Sequence, residues 1–570
     1  MRKLAIIGLG PRGLFALEEL LKQLAQTKSK IKIFGFESTD FPGAGPVWNP
    51  KQPNSNWINI TERLLDQIKE RPEINLFGTT VSAFPSYHDW CDFSLKAFEK
   101  DRFPPRNKLG EYLNQRFESV HSAIKDNQIF ELIKAKVQTI DCADDGFELN
   151  YGGETLQCHD VLLTIGHQPT NISDQLKQWK QFAKNKTALK VYEDTYPVQQ
   201  FKALKNKTNM FVGIRGFGLT MVDAMRYLTI NNYGNFKIMD EDTLQTCYYK
   251  VKPQNLKLIP FSLDGLPLAP KPYNKITDNW YSPRNEEIET LKNAIITSTQ
   301  SNPTASDINF LLQPFSKIAA RVFFDLYDKS VTHQSTKKEI ETLILHFLKN
   351  DDYQHPLIQD NSINTYDLIK KYIHMALGKA PVTLDFCVWQ VWRHCQPTFY
   401  RTLSHSNLDD ELMEDIIALD ERSKRFTYGP PIESMQQILA LVDADVLSLD
   451  FVNDPAIETI ENGWKLTNYN GKTISVSVMI NSVLDSPKLV DVTSPLVVDM
   501  LKNEFIKPIH NDLGIATEND GHVKSKIKDK TLTISVLGRL AKGSVLGVDA
   551  VLECFGPRIK DWAAGYVKHL

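Results

Sequence analysis

The chain has 570 residues and carries 66 Lys and Arg against 69 Asp and Glu, a formal net charge of −3 at pH 7. That balance supplies no basic field to gather nucleic acid or anionic lipid, and the length exceeds one ordinary domain. Hydrophobic residues at 42% and aromatics at 10% exclude wholesale disorder.

Lys3 to Ile7 is a short β-branched run leading directly into Gly8-Leu9-Gly10-Pro11-Arg12-Gly13. The run is broken at Pro11-Arg12 and has no small-residue cleavage site, so it reads as a strand entering a turn, not as an export signal. Leu14, Leu17, Leu20, Leu21 and Leu24 then fall at helical spacing, and Ile31 to Phe36 predicts a second strand ending at Glu37. The loop Phe41-Pro42-Gly43-Ala44-Gly45 completes a βαβ unit. Leu109 to Phe117 predicts a helix, and residues 128–165 alternate as short strands ending in Asp160 to Ile165, Gly166 and His167.

A second strand, glycine turn and helix open at Asn209 to Asp223. Glu287 to Thr297, Ile308 to Tyr327 and Lys337 to Leu348 are long amphipathic stretches without strand punctuation. Strands return after Asp443, including Thr473 to Ile480 and Leu532 to Leu537, and a helix is expected from Gly543. No apolar run approaches the roughly 20 residues of a membrane-spanning helix.

The pattern predicts an α/β protein with two Rossmann-like dinucleotide-binding domains, the first discontinuous, and a mainly helical insertion. The expected division is 1–190 for the first segment of the first domain and 191–284 for the second domain. The insertion then takes 285–440, return strands of the second domain 441–475, and the closing segment of the first domain 476–570.

Each glycine of such a turn has a separate task. The first makes the tight bend, the second lets backbone N–H groups approach a pyrophosphate, and the third allows close helix packing. Gly8, Gly10 and Gly13 hold those places, and Glu37 stands where an acidic side chain accepts from an adenosine ribose. Gly216-Phe217-Gly218-Leu219-Thr220 repeats the logic with Met221 in the third place. Two turns suggest two dinucleotides held face to face, one permanent and one exchanging, or else a second unit that merely packs.

Other groups are weaker candidates. Cys387, His394 and Cys395 tempt a metal reading, but at 100° per residue they do not share one helical face, so no metal is expected. His167 is a candidate proton donor, and Arg106 a candidate clamp for a phosphate or a substrate carboxylate. The acidic run Asp409-Asp410-Glu411 reads as a solvated helix face. Seven scattered cysteines without a C-x-x-C pair point to a reducing, cytoplasmic setting. Serine-protease, Walker-type and H-E-x-x-H signatures are all missing.

Taken together, Gly8 to Gly13, Gly43-Ala44-Gly45 with Trp48, Asn56-Trp57-Ile58-Asn59, Phe103 to Arg106 with Gly110 and Tyr112, and Gly166-His167-Gln168-Pro169 resemble the FAD/NAD(P)-binding protein family. That family is related to the flavin-dependent N-hydroxylating and Baeyer–Villiger monooxygenases. The resemblance continues through Gly216 to Thr220 with Asp223 and through Leu537 to Ser544. It implies FAD held by Gly8, Gly10, Pro11, Arg12, Gly13, Glu37, Gly45, Trp48, Asn59, Gly166, Gly543 and Ser544, with Asn59 near the flavin. Gly543 and Ser544 would begin a helix facing the flavin, and Gly166 and Asn481 would mark the two crossings between domains.

The second turn, at Gly216, Gly218, Leu219 and Thr220, would take NADPH or NADH as exchanging reductant. Three positions depart from the family pattern: Thr164-Ile165-Gly166 replaces A-T-G, no glycine follows Asn481, and Leu263 stands where a basic residue often meets a 2′-phosphate. The implied activity is NAD(P)H-dependent oxygenation of a small molecule with O2 through a flavin hydroperoxide. A flavin reductase or dehydrogenase without oxygenation, and a non-catalytic FAD-binding protein, are the alternatives. No nucleic acid or membrane partner is expected, and the sequence leaves the substrate and the oligomeric state open.

Overall fold

The computed structural model describes residues 1–205, 209–230, 233–251, 255–300, 305–484, 488–510, 513–524 and 532–570. Arg2–Ile7 sits at the centre of a five-stranded parallel sheet, between Asp160–Leu163 and Ile31–Phe36, with Thr533–Val536 and Phe130–Ile133 at the edges. Successive residues of a strand point to opposite faces. Leu4 and Ile6 therefore enter one core with Leu14, Leu17 and Leu21 of helix Pro11–Thr27 and with Leu113 and Phe117 of helix Arg106–Ile124. Ala5 and Ile7 enter another, against the antiparallel strands Val137–Ala143, Gly146–Tyr151 and Glu154–Cys158 and helix Pro495–Lys502.

The second sheet is also parallel, in the order Lys190–Tyr192, Val478–Asn481, Asn209–Arg215, Asn255–Phe261. Two of the expected boundaries move. Lys190–Tyr192 pairs within this sheet, and Leu176 and Trp179 of helix Asp174–Ala183 pack on its outer face with Phe261, Trp464 and Met479, so the first segment ends well before residue 190. The run Thr473 to Ile480 is two strands. Thr473–Val476 closes a three-stranded antiparallel sheet, and Val478–Asn481 joins the second parallel sheet, so the chain returns to the first domain after Asn481, not at 476.

Helices Asn285–Gln300, Asn309–Leu326, Lys337–Lys349, Thr365–Ala376, Leu384–Leu403, Asp410–Thr427 and Ile432–Asp443 form the insertion. It has no core of its own. Val212, Ile214, Val478 and Ile480 of the second sheet and Met221 of its helix share one apolar cluster with Phe315, Trp389, Trp392 and Phe399. Cys387 and Cys395 lie buried in that cluster, where burial pushes both thiols up. No described helix is long and apolar enough to cross a membrane.

A buried charge cluster ties the first domain together. Glu18 accepts from Arg71 at 2.9 Å and from Arg116 at 2.9 and 2.7 Å, and all three are at most 2% exposed. The arginine ends also reach the Lys69 and Ser82 carbonyls and the Tyr112 and Ser119 hydroxyls, so helix, ribbon and loop are cross-linked at one point. Removing one partner of a buried pair leaves an uncompensated charge, which costs about 3–5 kcal/mol. The Glu18→Gln variant is expected to lose stability of that order in urea denaturation; a loss under about 1 kcal/mol would show that the two arginines are solvated well enough without it.

Candidate functional site

The first glycine turn assigns its three glycines to three physical roles. Gly8 has φ +96° and bends the chain out of the central strand. A Cβ on Gly13 would lie 2.3 Å from the Gly8 carbonyl oxygen, so the third glycine sets how closely helix and strand approach. A Cβ on Gly10 would meet nothing within 4 Å, which leaves the open approach that a pyrophosphate needs. Pro11 occupies the first helical turn, and the N–H groups that follow it form the positive end of helix Pro11–Thr27. The residues therefore fit a bound dinucleotide.

The neighbours complete the cradle. Glu37 is buried at the end of its strand, accepting from Leu9 N at 3.1 Å and Thr39 N at 2.8 Å, and each carboxylate oxygen keeps a further lone pair. Gly45, at φ +63°, passes in front of Gly10, its Cβ position only 3.3 Å from the Gly10 Cα. Thr164, one of the departures, donates its hydroxyl to the Gly8 carbonyl and so serves the turn directly. Arg12 donates to the Val548 carbonyl at 2.6 Å and lies against Gly538 in a narrow cleft.

In the second turn Gly216 has φ +112°, and a Cβ there would touch the Ser482 backbone at 3.0 Å. Gly218 again faces open space at the start of helix Leu219–Thr229, while Met221 is fully buried in the third place. The crossing at Asn481 dispenses with a glycine. The Asn481 side chain accepts from Arg215 at 2.9 Å and donates to the Glu193 carbonyl at 3.0 Å, and Ser482 meets Thr195 at 2.8 Å. Leu263 is 88% exposed, and the adjacent Asp264 pairs with Arg425 of the insertion.

Both domains and the insertion open onto one cavity of about 2400 Å³. A single small-molecule site takes roughly 300–1,000 Å³, so there is room for more than one ligand. Trp48, Asn59, Arg106, Gly166, His167, Leu219 and Thr220 line it. The glycines of both turns, Pro11, Glu37 and Gly45 are not part of that lining. Asn59 donates to the Tyr428 carbonyl at 3.4 Å, joining the first domain to the insertion.

Gly543 and Ser544 do not begin a helix. Gly543 has φ +102°, and the Ser544 hydroxyl accepts from Thr517 N at 2.9 Å and donates to the Ile515 carbonyl at 3.1 Å, so both hold an irregular loop. The helix that reaches the cavity starts at Pro557, with Gly556 and Arg558 in its wall.

The two weak candidates acquire definite roles. Arg106 pairs with Asp223 of the second domain at 2.8 Å, and Asp223 also accepts from Tyr196 at 2.6 Å. Burial works against the Arg106 charge, but Asp223 and Tyr196 more than offset it and hold the guanidinium charged. Arg226 stacks on Trp57 at 3.7 Å beside this pair. Arg106 is thus a bolt between domains, not a free clamp. His167 is exposed to the cavity it lines; the enclosing walls and then the charge of Arg539 push its pKa down, so the imidazole is a poor acid at pH 7.

Residues that the sequence reading passed over supply much of the cavity's chemistry. Lys424 pairs with Glu421 at 2.7 Å and Asp549 at 3.2 Å, Lys542 pairs with Glu421 at 2.6 Å, and Arg539 pairs with Asp549. That cluster holds three cations against two anions, while the cavity wall as a whole, with Glu193, Asp194, Asp278, Glu289, Glu553 and Asp561 also in it, is close to balanced. Lys271, between two prolines, donates to the Thr427 carbonyl at 2.9 Å and the Gly429 carbonyl at 3.2 Å. Burial, helped by Arg393, brings its pKa down to about 7. Asp278 takes Arg393 and His394 as partners, and their charge holds its carboxyl low against burial. The Pro270-Lys271-Pro272 triplet was the one local signal for any of these.

The glycine geometry separates two substitutions. Gly10→Ala is expected to keep the stability of the flavin-free chain within about 1 kcal/mol while weakening FAD binding at least about tenfold, read by flavin retention and by urea denaturation. Gly13→Ala is expected to lower stability itself, by about 1–3 kcal/mol, because the helix must move. Unchanged flavin content in Gly10→Ala would remove the pyrophosphate from this turn.

A family model described as FAD-NAD(P)-binding matches residues 5–168. The chain is 21% identical to the nitrosuccinic acid synthase of Aspergillus oryzae, over 88% of this chain and 82% of that protein. Among solved structures it is similar to the ornithine hydroxylase of Pseudomonas aeruginosa, at 10% identity and a TM-score of 0.44, covering 100% and 99% of the two chains. The L-lysine 6-monooxygenase of Pseudomonas syringae gives 11% identity and a TM-score of 0.44, covering all of both chains. The family match and the open second glycine of the turn it contains identify residues 5–168 as an FAD-NAD(P)-binding domain.

Proposed function

We propose that the chain is an FAD-dependent, NAD(P)H-consuming monooxygenase that oxygenates the amino nitrogen of a small carboxylate-bearing molecule. The observation that carries the reading is the single cavity onto which both dinucleotide-binding units and the helical insertion open. The match to a protein named for a nitro dicarboxylic acid supports the nitrogen and the carboxylates.

Bound to the first turn, FAD would supply two-electron redox chemistry and, with NAD(P)H and O2, the oxygenating equivalent. Gly10 and the start of helix Pro11–Thr27 would hold its diphosphate, and Glu37 its ribose. Insertion residues such as Ile288, Arg393 and Tyr400 line one part of the cavity, where they would limit water around the reacting atoms. An amine must lose its ammonium proton before its nitrogen can attack an electrophilic oxygen. Lys271 is built to take that proton. As a neutral amine it has two hydrogens for the two carbonyls it already meets, which leaves its lone pair for the cavity.

The first test is anaerobic titration of the purified flavoprotein with NADPH and NADH, followed by aerobic turnover with aminodicarboxylates. Bleaching of the flavin and substrate-dependent NAD(P)H consumption with an N-oxygenated product are expected. Peroxide formed in step with NAD(P)H and no product would mean a reductase, and a flavin that stays oxidised under both nucleotides would mean a non-catalytic binder. With Lys271 at about pKa 7, coupled turnover should rise as pH increases through 7. Lys271→Met is expected to lose that rising limb and about 10²-fold or more in coupled rate, with flavin content retained. A pH profile identical to that of the parent protein would remove Lys271 from proton transfer.

A further inference from the structure

Away from the cavity, the turn Asp520-Gly521-His522 is pinned to the edge strand of the first sheet, Val536 N donating to the Gly521 carbonyl at 2.8 Å and Val523 N to Ile534 at 2.9 Å. The C-terminal helix Pro557–His569 packs over it. Gly565, in the interior of that helix, has no packing reason to be glycine except this turn, since a Cβ there would lie 2.9 Å from the Asp520 Cβ and 3.0 Å from its carboxylate. Glycine inside a helix costs about 1 kcal/mol relative to alanine, so the close approach of Asp520 is bought at some expense.

That approach gathers three candidate ligands of two types. A carboxylate oxygen of Asp520 and a ring nitrogen from each of His522 and His569 lie within 4.8 Å of one another. The two imidazoles meet edge to face, with centroids 5.0 Å apart. His522 Nδ1 is 2.8 Å from Asp520 Oδ1, an ion-pair contact, and among the described residues the buried Nε2 of His522 lacks a hydrogen-bond partner. Buried polar atoms of this kind call for an explanation.

We infer that Asp520, His522 and His569 bind a divalent transition-metal ion of the zinc type, joining the turn to the C-terminal helix. Two imidazoles and a carboxylate suit such an ion, and a tetrahedral site with bonds of about 2.0–2.1 Å needs ligand atoms about 3.3 Å apart. A rotation of the exposed His569 side chain closes the remaining distance. The ion would clamp the helix that packs against helix Pro11–Thr27, and so would stiffen the back of the dinucleotide turn without entering the reaction.

The test is calorimetric titration of Zn²⁺ into the tag-free, chelator-treated full chain, with thermal denaturation alongside. One equivalent is expected to bind and to raise the melting temperature. His569→Ala, His522→Ala and Asp520→Asn should each weaken binding at least about tenfold, while the exposed and remote His374→Ala leaves it unchanged. His569 ends an exposed helix terminus, so its variant should fold even where His522→Ala does not, and retained flavin verifies that. No uptake of Zn²⁺, or uptake indifferent to His569→Ala, overturns the assignment.

Discussion

The Gly13 α-carbon is held so close to the first strand that a methyl group there would stand 2.3 Å from the Gly8 carbonyl oxygen. This contact sets the distance between helix Pro11–Thr27 and the sheet, and with it the direction in which the helix N-terminus points. Everything nearby is arranged around that limit. Thr164 ties the adjacent strand to the same carbonyl, Glu37 fixes the Leu9 amide, and Gly45 crosses in front of Gly10. Gly10 alone faces open space, so the turn concentrates its permissiveness where an anion would enter.

The second domain meets a different constraint. Its sheet buries one face against helix Asp174–Ala183 and the antiparallel strands, and the other against the insertion, which has no separate core. Sheet and insertion are one body for packing purposes. The Arg106–Asp223 pair then joins that body to the first domain beside the second glycine turn. A buried ion pair that bridges two domains is a weak source of stability but a strong determinant of geometry, because any other placement leaves a charge without its partner. This bolt and the Asn59 contact with Tyr428 both join the first domain to that body at residues that line the cavity.

How much of this was legible in the sequence follows from the range of the forces involved. The turn residues Gly8, Gly10, Gly13 and Glu37 and the strands beside them were readable because their constraint is local: each needs a particular backbone angle or neighbour within a few residues. Gly543 and Ser544 were misread as a helix start because the glycine does mark a sharp change of direction, yet Ser544 is held by Ile515 and Thr517, which no local pattern reveals. The boundary at 476 failed for a related reason, since Thr473 to Ile480 is uninterrupted in composition but divided between two sheets by pairing partners distant in sequence. Lys271, Lys424, Arg539 and Lys542 were invisible as site residues because their meaning lies in who faces them.

His167 shows how far such facing groups control chemistry. The enclosing cavity walls and then Arg539 push its pKa down, with Arg12 and Arg106 adding to the same effect and Asp549 opposing it. A diphosphate held at the first glycine turn would bring negative charge into the region of the guanidinium groups that now disfavour a second proton on the ring. That would offset only the part of the depression due to the arginines, while the larger part, desolvation, would grow as a ligand fills the cavity. The same anion would leave Lys271 almost untouched, because its depression arises first from burial under the insertion and only then from Arg393. The two titratable groups of the cavity thus answer to different things, one to what occupies the nucleotide sites and the other to its burial against the insertion.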